Sequence, residues 1–216
     1  MMKELYVVGA GGFGREVAWL VERINQNEKE WELKGFLDDN EQLHGGKEDG
    51  YPVVGGIDYL EKLSKTTWVI CAVGAASVRR KIIEKLEKIE KVRFATLIDP
   101  SVLLSRRVKI GDGSIICAGT IATVDIEIGK HVIVNLDCTI GHDAKLEDYV
   151  TVYPSVNISG FVTVGEETEI GTGTQIIQGI KIGRESIIGA GAVVIKELPE
   201  KCTAVGSPAK VIKFRE

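Results

Sequence analysis

Residues 126–150, IEIGKHVIVNLDCTIGHDAKLEDYV, place Ile128, Val134, Ile140 and Leu146 six residues apart. Followed outward in both directions, the interval holds from Ile98 to Val194. Sixteen of the seventeen residues on that grid are Ile, Leu or Val, and the other is Ala122. A period of six cannot keep one face of an α-helix apolar, because helical faces repeat every 3.6 residues. It fits a parallel β-helix, in which each hexad gives a short strand and a turn and three hexads close one triangular coil. Coils stacked at roughly 4.8 Å run their backbone hydrogen bonds along the axis and bury the aliphatic residues inside. Residues four places further on, such as Ser114, Thr120, Cys138 and Ala144, are small or β-branched. Glycine often follows the aliphatic residue, as at Gly111, Gly129 and Gly141, and is expected there because a corner needs permissive backbone angles.

Before residue 97 the pattern is different. ELYVVGA, LKGFLDD, TTWVICAVG and VRFATLI are short apolar runs suited to about four buried parallel strands. Between them, Val17, Leu20, Val21 and Ile24 form one helical stripe, and Val78, Ile82, Leu86 and Ile89 form another. IDYLEKL has the look of a short helix. The expected organisation is therefore an α/β domain over 1–96, a small Rossmann-like parallel sheet, followed by an all-β parallel β-helix with a C-terminal tail over 97–216.

Composition narrows the function classes. A net charge of −4 lacks the basic excess that nucleic-acid binding needs. The N-terminus, MMKELYVVGAGG, has no signal-peptide core, and no stretch reaches the roughly 18 apolar residues of a membrane span. The four cysteines lack metal-type spacing and suit a reduced, cytoplasmic setting.

Two segments carry chemistry. GAGGFG gives Gly9-x-Gly11-x-x-Gly14 directly after a strand and at the start of a helix, where glycines admit a phosphate and the helix N-terminus attracts its charge. Asp38 and Asp39 follow the second strand, where an acid can hold a ribose or a base edge. With no second half to bind nicotinamide, a mononucleotide or nucleotide sugar fits this domain better than NAD. In the repeats, His142 follows Ile140 by two residues and should reach the outer surface, with Asp143 beside it. An exposed imidazole is a good general base near neutral pH, and a carboxylate on Nδ1 leaves Nε2 free. His131 and His44 are expected to be ordinary surface residues. Cys138 falls at a small inward position.

Taken together, VVGAGGFGREV, GFLDDN, AVGAASVRRKI, IDPSV, IVNLDCTIGHDAKLEDYV, ISGFVTVG and AVGSPAKVIK resemble the bacterial sugar acyltransferases related to sialic-acid O-acetyltransferases and UDP-4-amino-sugar N-acetyltransferases. The resemblance spans nearly the whole chain. It implies a left-handed coil, a homotrimer, and acetyl-CoA held in the groove between neighbouring prisms. It implies that His142 takes the proton from the acceptor, supported by Asp143 and Asn135. A nucleotide sugar would rest on Gly11, Gly12, Phe13, Gly14, Asp38, Asp39 and Gly74, with Asn135 also on the substrate side. Acetyl-CoA would meet Thr151, Gly160, Gly179 and Lys210, with the Gly160 N–H facing the oxyanion. Phe13 and Thr151 stand where many relatives have histidine, and Ala75 and Ala76 where asparagine is common. No metal is implied.

The intact nucleotide-binding motif favours N-acetylation of a UDP-linked amino sugar over O-acetylation of free sialic acid. A metal-dependent hydratase on the same prism would need three convergent histidines, and only two lie there. A non-catalytic, trimeric nucleotide-binding module is the alternative from another class.

Overall fold

The computed structural model describes residues 2–215. The chain divides into two units, Met1–Pro100 and Ser101–Glu216.

The first unit is built from β1 (Lys3–Val8), α1 (Gly12–Asn27), β2 (Trp31–Leu37), β3 (Lys47–Glu48), β4 (Tyr51–Gly55), β5 (Thr67–Cys71), α2 (Ala76–Leu86) and β6 (Val92–Phe94). The sheet order is β3-β4-β2-β1-β5-β6. Every neighbouring pair is parallel except β3–β4. Leu5, Tyr6, Val7 and Val8 of β1 are all buried, as expected of a central strand covered on both faces. From β1 the chain winds outward to β2 and β4, then returns to lay β5 on the other side of β1. That reversal makes the carboxyl ends of β1 and β5 the place where an open α/β sheet offers a crevice.

Three expectations change here. The sheet has five parallel strands rather than about four, because YPVVG pairs between β2 and the two-residue edge strand β3. Pro52 and Gly55 depress its strand signal. The VRFATLI run splits, with Val92–Phe94 in this sheet and Leu97–Ile98 as a separate short strand. The buried stripe of α2 is Ala76, Arg79, Ile83 and Leu86, whereas Val78 is exposed. A fully buried arginine takes a place that hydrophobic spacing assigns to an aliphatic residue.

The second unit is the expected left-handed parallel β-helix. Two-residue strands pair with partners eighteen residues on, so Thr139 faces Asn157, Asn157 faces Gln175, and Gln175 faces Val193. Grid residues from Ile116 to Val194 are buried, while Leu104, in the first coil, is exposed. Buried hydroxyls are satisfied in series: Ser114 donates to the Gly129 carbonyl at 2.9 Å, Thr168 to that of Gly183 at 2.9 Å, and Ser186 to that of Pro199 at 3.0 Å. Such pairing offsets the cost of burying a polar group. Cys202–Val205 adds in parallel, and Lys210–Phe214 folds back antiparallel to end the stack.

The glycines after the aliphatic residues serve a different purpose from the one expected. The left-handed residue of each corner lies two places later, at Gly113, Asp125, Asp143, Phe161 and Gly179 among others. Gly111, Gly141 and Gly171 have no positive φ. They are needed because a Cβ on each would stand 2.6 Å from backbone of the next coil.

Candidate active site

His142 sits at a corner of the prism, between the strand Thr139–Ile140 and the strand Lys145–Leu146. Its side chain is 47% exposed and that of Asp143 41%. The left-handed backbone at Asp143 (φ 58°) turns the chain, and the Asp143 N–H is anchored on the Val124 carbonyl at 3.1 Å, one coil below. His142 Nδ1 lies 2.9 Å from Asp143 Oδ2. An ionised carboxylate only accepts hydrogen bonds, so Nδ1 is the donor and Nε2 carries the free lone pair.

Two residues of the next coil complete the surroundings. The backbone of Gly160 lies against the imidazole so closely that a Cβ there would stand 2.6 Å from both Cε1 and Nε2. Phe161 packs its ring at right angles to the imidazole, with centroids 5.1 Å apart and an interplanar angle of 86°. The Phe161 N–H donates to the His142 carbonyl at 2.9 Å. Higher on the same corner, Gly179 is exposed with φ 76°, and Ile177 and Ile195 present exposed apolar side chains.

The structure therefore joins His142, Asp143 and Gly160. It does not bring Asn135 or Thr151 to them. Asn135 follows the strand Ile133–Val134, and Thr151 lies in the strand Thr151–Val152 of the same face, which does not adjoin the His142 corner. In an eighteen-residue coil, seven residues back and nine forward both land on that third face. Asn135 is 9% exposed and its Oδ1 accepts from the Leu136 N–H at 2.7 Å. Thr151 is 1% exposed, so its side chain has almost no surface to offer a ligand. Lys210 is exposed at the start of the last strand.

His131 departs from expectation. It is buried, with its ring stacked on Tyr149 of the next coil at 5.3 Å and 17°. Gly113, one coil below, leaves the room that ring occupies.

In the first unit, Gly11 caps α1 from an extended conformation, and no side chain caps that helix. Gly11 and Gly12 are open to solvent, with nothing within 4 Å of an added Cβ, and Phe13 is half-buried. Gly14 is buried, where a Cβ would collide with the Gly9 carbonyl. Both Asp38 oxygens hold backbone: Oδ2 accepts from the Ala10 N–H at 2.8 Å and Oδ1 from the Asn40 N–H at 2.9 Å. Asp38 thus clamps the Gly-rich loop, and Asp39 is the exposed acid of the pair. A cavity of about 150 Å³ opens at the carboxyl ends of the strands, lined by Gly9, Asp38, Asp39, Ile57, Val73 and Ile82. Asp39 also borders a second cavity, of about 430 Å³, with His44, Gly56, Asp58, Tyr59 and Lys62. His44 Nε2 lies 2.7 Å from the Asp38 carbonyl, so this histidine is part of the cavity wall. The buried Arg79 guanidinium donates to the carbonyls of Val73 and Gly74 at 2.7 and 2.9 Å, fixing the loop after β5.

Comparison with known proteins follows the same division. Residues 4–86 match the family described as "PglD N-terminal domain", and residues 161–196 match "Bacterial transferase hexapeptide (six repeats)". The chain is 30% identical to GDP-perosamine N-acetyltransferase of Escherichia coli O157:H7, over 96% of this chain and 95% of that protein. The chain belongs to the hexapeptide-repeat sugar acyltransferases. Two solved structures cover almost all of this acyltransferase. The acetyltransferase domain of PglB from Neisseria gonorrhoeae FA1090, in complex with acetyl coenzyme A, is 31% identical with a TM-score of 0.88, covering 98% of this chain and 100% of its own. PerB from Caulobacter crescentus, in complex with CoA and GDP-perosamine, is 27% identical with a TM-score of 0.86, covering 99% of each chain. Among the described residues of this acyltransferase, no group of three or more His, Cys, Asp or Glu is placed to hold a metal, and no helix is long and apolar enough to cross a membrane.

Proposed function

We propose that this acyltransferase transfers the acetyl group of acetyl-CoA to the amino group of a nucleoside-diphosphate-linked sugar, with His142 as general base. The observation that carries the proposal is the state of that imidazole: half exposed, with Nδ1 held by Asp143 and its Cε1–Nε2 edge beside Gly160. The neutral amine attacks the thioester carbonyl carbon while Nε2 takes the departing N–H proton. The C–S bond then breaks, and the imidazolium returns the proton to the leaving thiolate, so that amide and free thiol balance the reaction. The Gly160 N–H makes no hydrogen bond among the described residues and is the proposed donor to the oxyanion.

The Gly-rich loop and the uncapped start of α1 suit the diphosphate, and Asp39 with its neighbouring cavity suits the nucleoside. The likeness to proteins named for GDP-perosamine supports GDP as a carrier alongside the UDP that the family resemblance implies. A homotrimer, with acetyl-CoA in the groove between prisms, supplies the surface that one corner lacks. Asn135 then acts on His142 only across a subunit boundary, and Gly160, Gly179 and Lys210 remain the donor-side residues.

The test is thiol release from acetyl-CoA with UDP- and GDP-linked 4-amino sugars and with free sialic acid. Turnover should require an amino sugar. His142→Ala should lose about 10²–10⁴ in kcat, or roughly 3–5 kcal/mol of transition-state stabilisation. Near wild-type turnover in that variant overturns the assignment of the base. Ligand-induced thermal stabilisation without turnover would support the binding-module alternative.

A further inference from the structure

We infer that Phe161 is a positioning residue for His142, an inference that rests on the reading of His142 as the base. Phe161 occupies the left-handed position of its corner (φ 58°). The equivalent positions in the adjoining coils on this corner are Asp125, Asp143 and Gly179. Glycine adopts that conformation freely and aspartate visits it through local hydrogen bonding, whereas a bulky residue there is disfavoured, although other corners of the prism hold His131, Tyr149 and Glu167 in it. The Phe161 side chain is also 54% exposed, so hydrophobic burial gives little in return. Within one protomer the fold therefore gains little from a phenylalanine at this place. Its distinctive contact is the perpendicular packing of its ring on the imidazole at 5.1 Å.

That contact completes a three-sided restraint. Asp143 fixes the direction of Nδ1 and the Gly160 backbone closes one side of the Cε1–Nε2 edge. Phe161 blocks the remaining swing. An exposed imidazole held by one hydrogen bond to its chain neighbour would rotate among several rotamers, most of them aiming Nε2 away from an incoming amine.

The experiment compares Phe161→Asn, Phe161→Tyr, His142→Ala and the double variant Phe161→Asn/His142→Ala, measuring kcat, both KM values and the melting temperature. Asparagine is at home in left-handed backbone, so Phe161→Asn should melt no lower than wild type. Its kcat should nevertheless fall about ten-fold with both KM values unchanged. Phe161→Tyr keeps the ring and should restore kcat to within two-fold. The double variant should be no slower than His142→Ala alone, because Phe161 acts through the imidazole. A Phe161→Asn enzyme within two-fold of wild type, or a further ten-fold loss in the double variant, would overturn the inference while leaving His142 as the base. Full activity in His142→Ala would remove both, and that single variant shows it without any change at Phe161.

Discussion

Replacing Gly160 with alanine separates the geometry of catalysis from the stability of the fold. The new Cβ would stand 2.6 Å from His142 Cε1 and Nε2 and 3.0 Å from Nδ1, whereas non-bonded carbons rest about 3.5–4.0 Å apart. Something must give by about 1 Å. The coil spacing resists, because the Ser159 N–H to Ile176 and Phe161 N–H to His142 bonds hold the backbone at 3.1 and 2.9 Å. The imidazole, half in solvent, moves instead. Losing its bond to Asp143, an exposed pair, costs at most about 1 kcal/mol. Gly160 has no positive φ, so alanine returns about 0.4–1 kcal/mol by restricting the unfolded chain. The two nearly cancel, and the melting temperature should stay within a few degrees. Catalysis has no such offset: a 1 Å misplacement of a reacting group costs about 10² in rate, or roughly 2.7 kcal/mol. Thiol release should therefore show kcat reduced about a hundred-fold while both KM values and the thermal transition hold. A Gly160→Ala enzyme with kcat within three-fold of wild type would refute the placement of the imidazole against that backbone.

Asp143→Ala should lower kcat about ten-fold with little change in melting temperature, since an exposed pair contributes at most about 1 kcal/mol to stability; Asp143→Asn, which still offers an acceptor, should lose less, and equal rates in all three enzymes would contradict this. Arg79→Met removes the guanidinium that donates to the Val73 and Gly74 carbonyls. It should raise KM for the nucleotide sugar, spare kcat and cost about 1–3 kcal/mol of stability; Arg79→Lys, a single point donor, should recover only part of the KM effect. Gly14→Ala drives a Cβ into the Gly9 carbonyl and should lower stability by about 1–3 kcal/mol, visible as a drop in melting temperature. All four cysteines are buried, and burial pushes the thiols of Cys71 and Cys138 up to about 11. None should react with a thiol reagent at pH 8 until the protein is denatured. Because these folded-state pKa values are raised, the stability they contribute is complete below the ordinary thiol pKa and is lost as pH climbs toward 11; a native protein that titrates four thiols at pH 8 would contradict the packing.

The prism was legible because a single inward position repeats with almost no exceptions, and position is all that a period reports. What the period hides is which turn residue bends the backbone. Glycine at 111, 141 or 171 looks like a flexible corner, yet it answers to steric pressure from a coil eighteen residues away in sequence. His131 is hidden for the same reason, since its partner Tyr149 is a neighbour only after the coils stack. In the α/β unit, Arg79 escaped notice because a charged residue inside a helical stripe reads as a gap in it. His142 and Asp143 stood out as a polar interruption in an apolar grid. Phe161 could not stand out, because nothing in the letters reveals left-handed backbone. Asn135 and Thr151 show the converse limit: closeness along the chain to His142 does not bring them to its corner.

Each rung of the column hydrogen-bonds to the rungs directly above and below it, and successive rungs from Leu103 to Val193 pair eighteen residues apart, before a shorter closing turn. Excising one whole rung between Phe161 and the terminal hairpin would leave each remaining strand a partner in register. It would also draw that hairpin about 4.8 Å nearer the imidazole. The distance from His142 to the tail is therefore notched like a ratchet, lengthening or shortening in whole clicks.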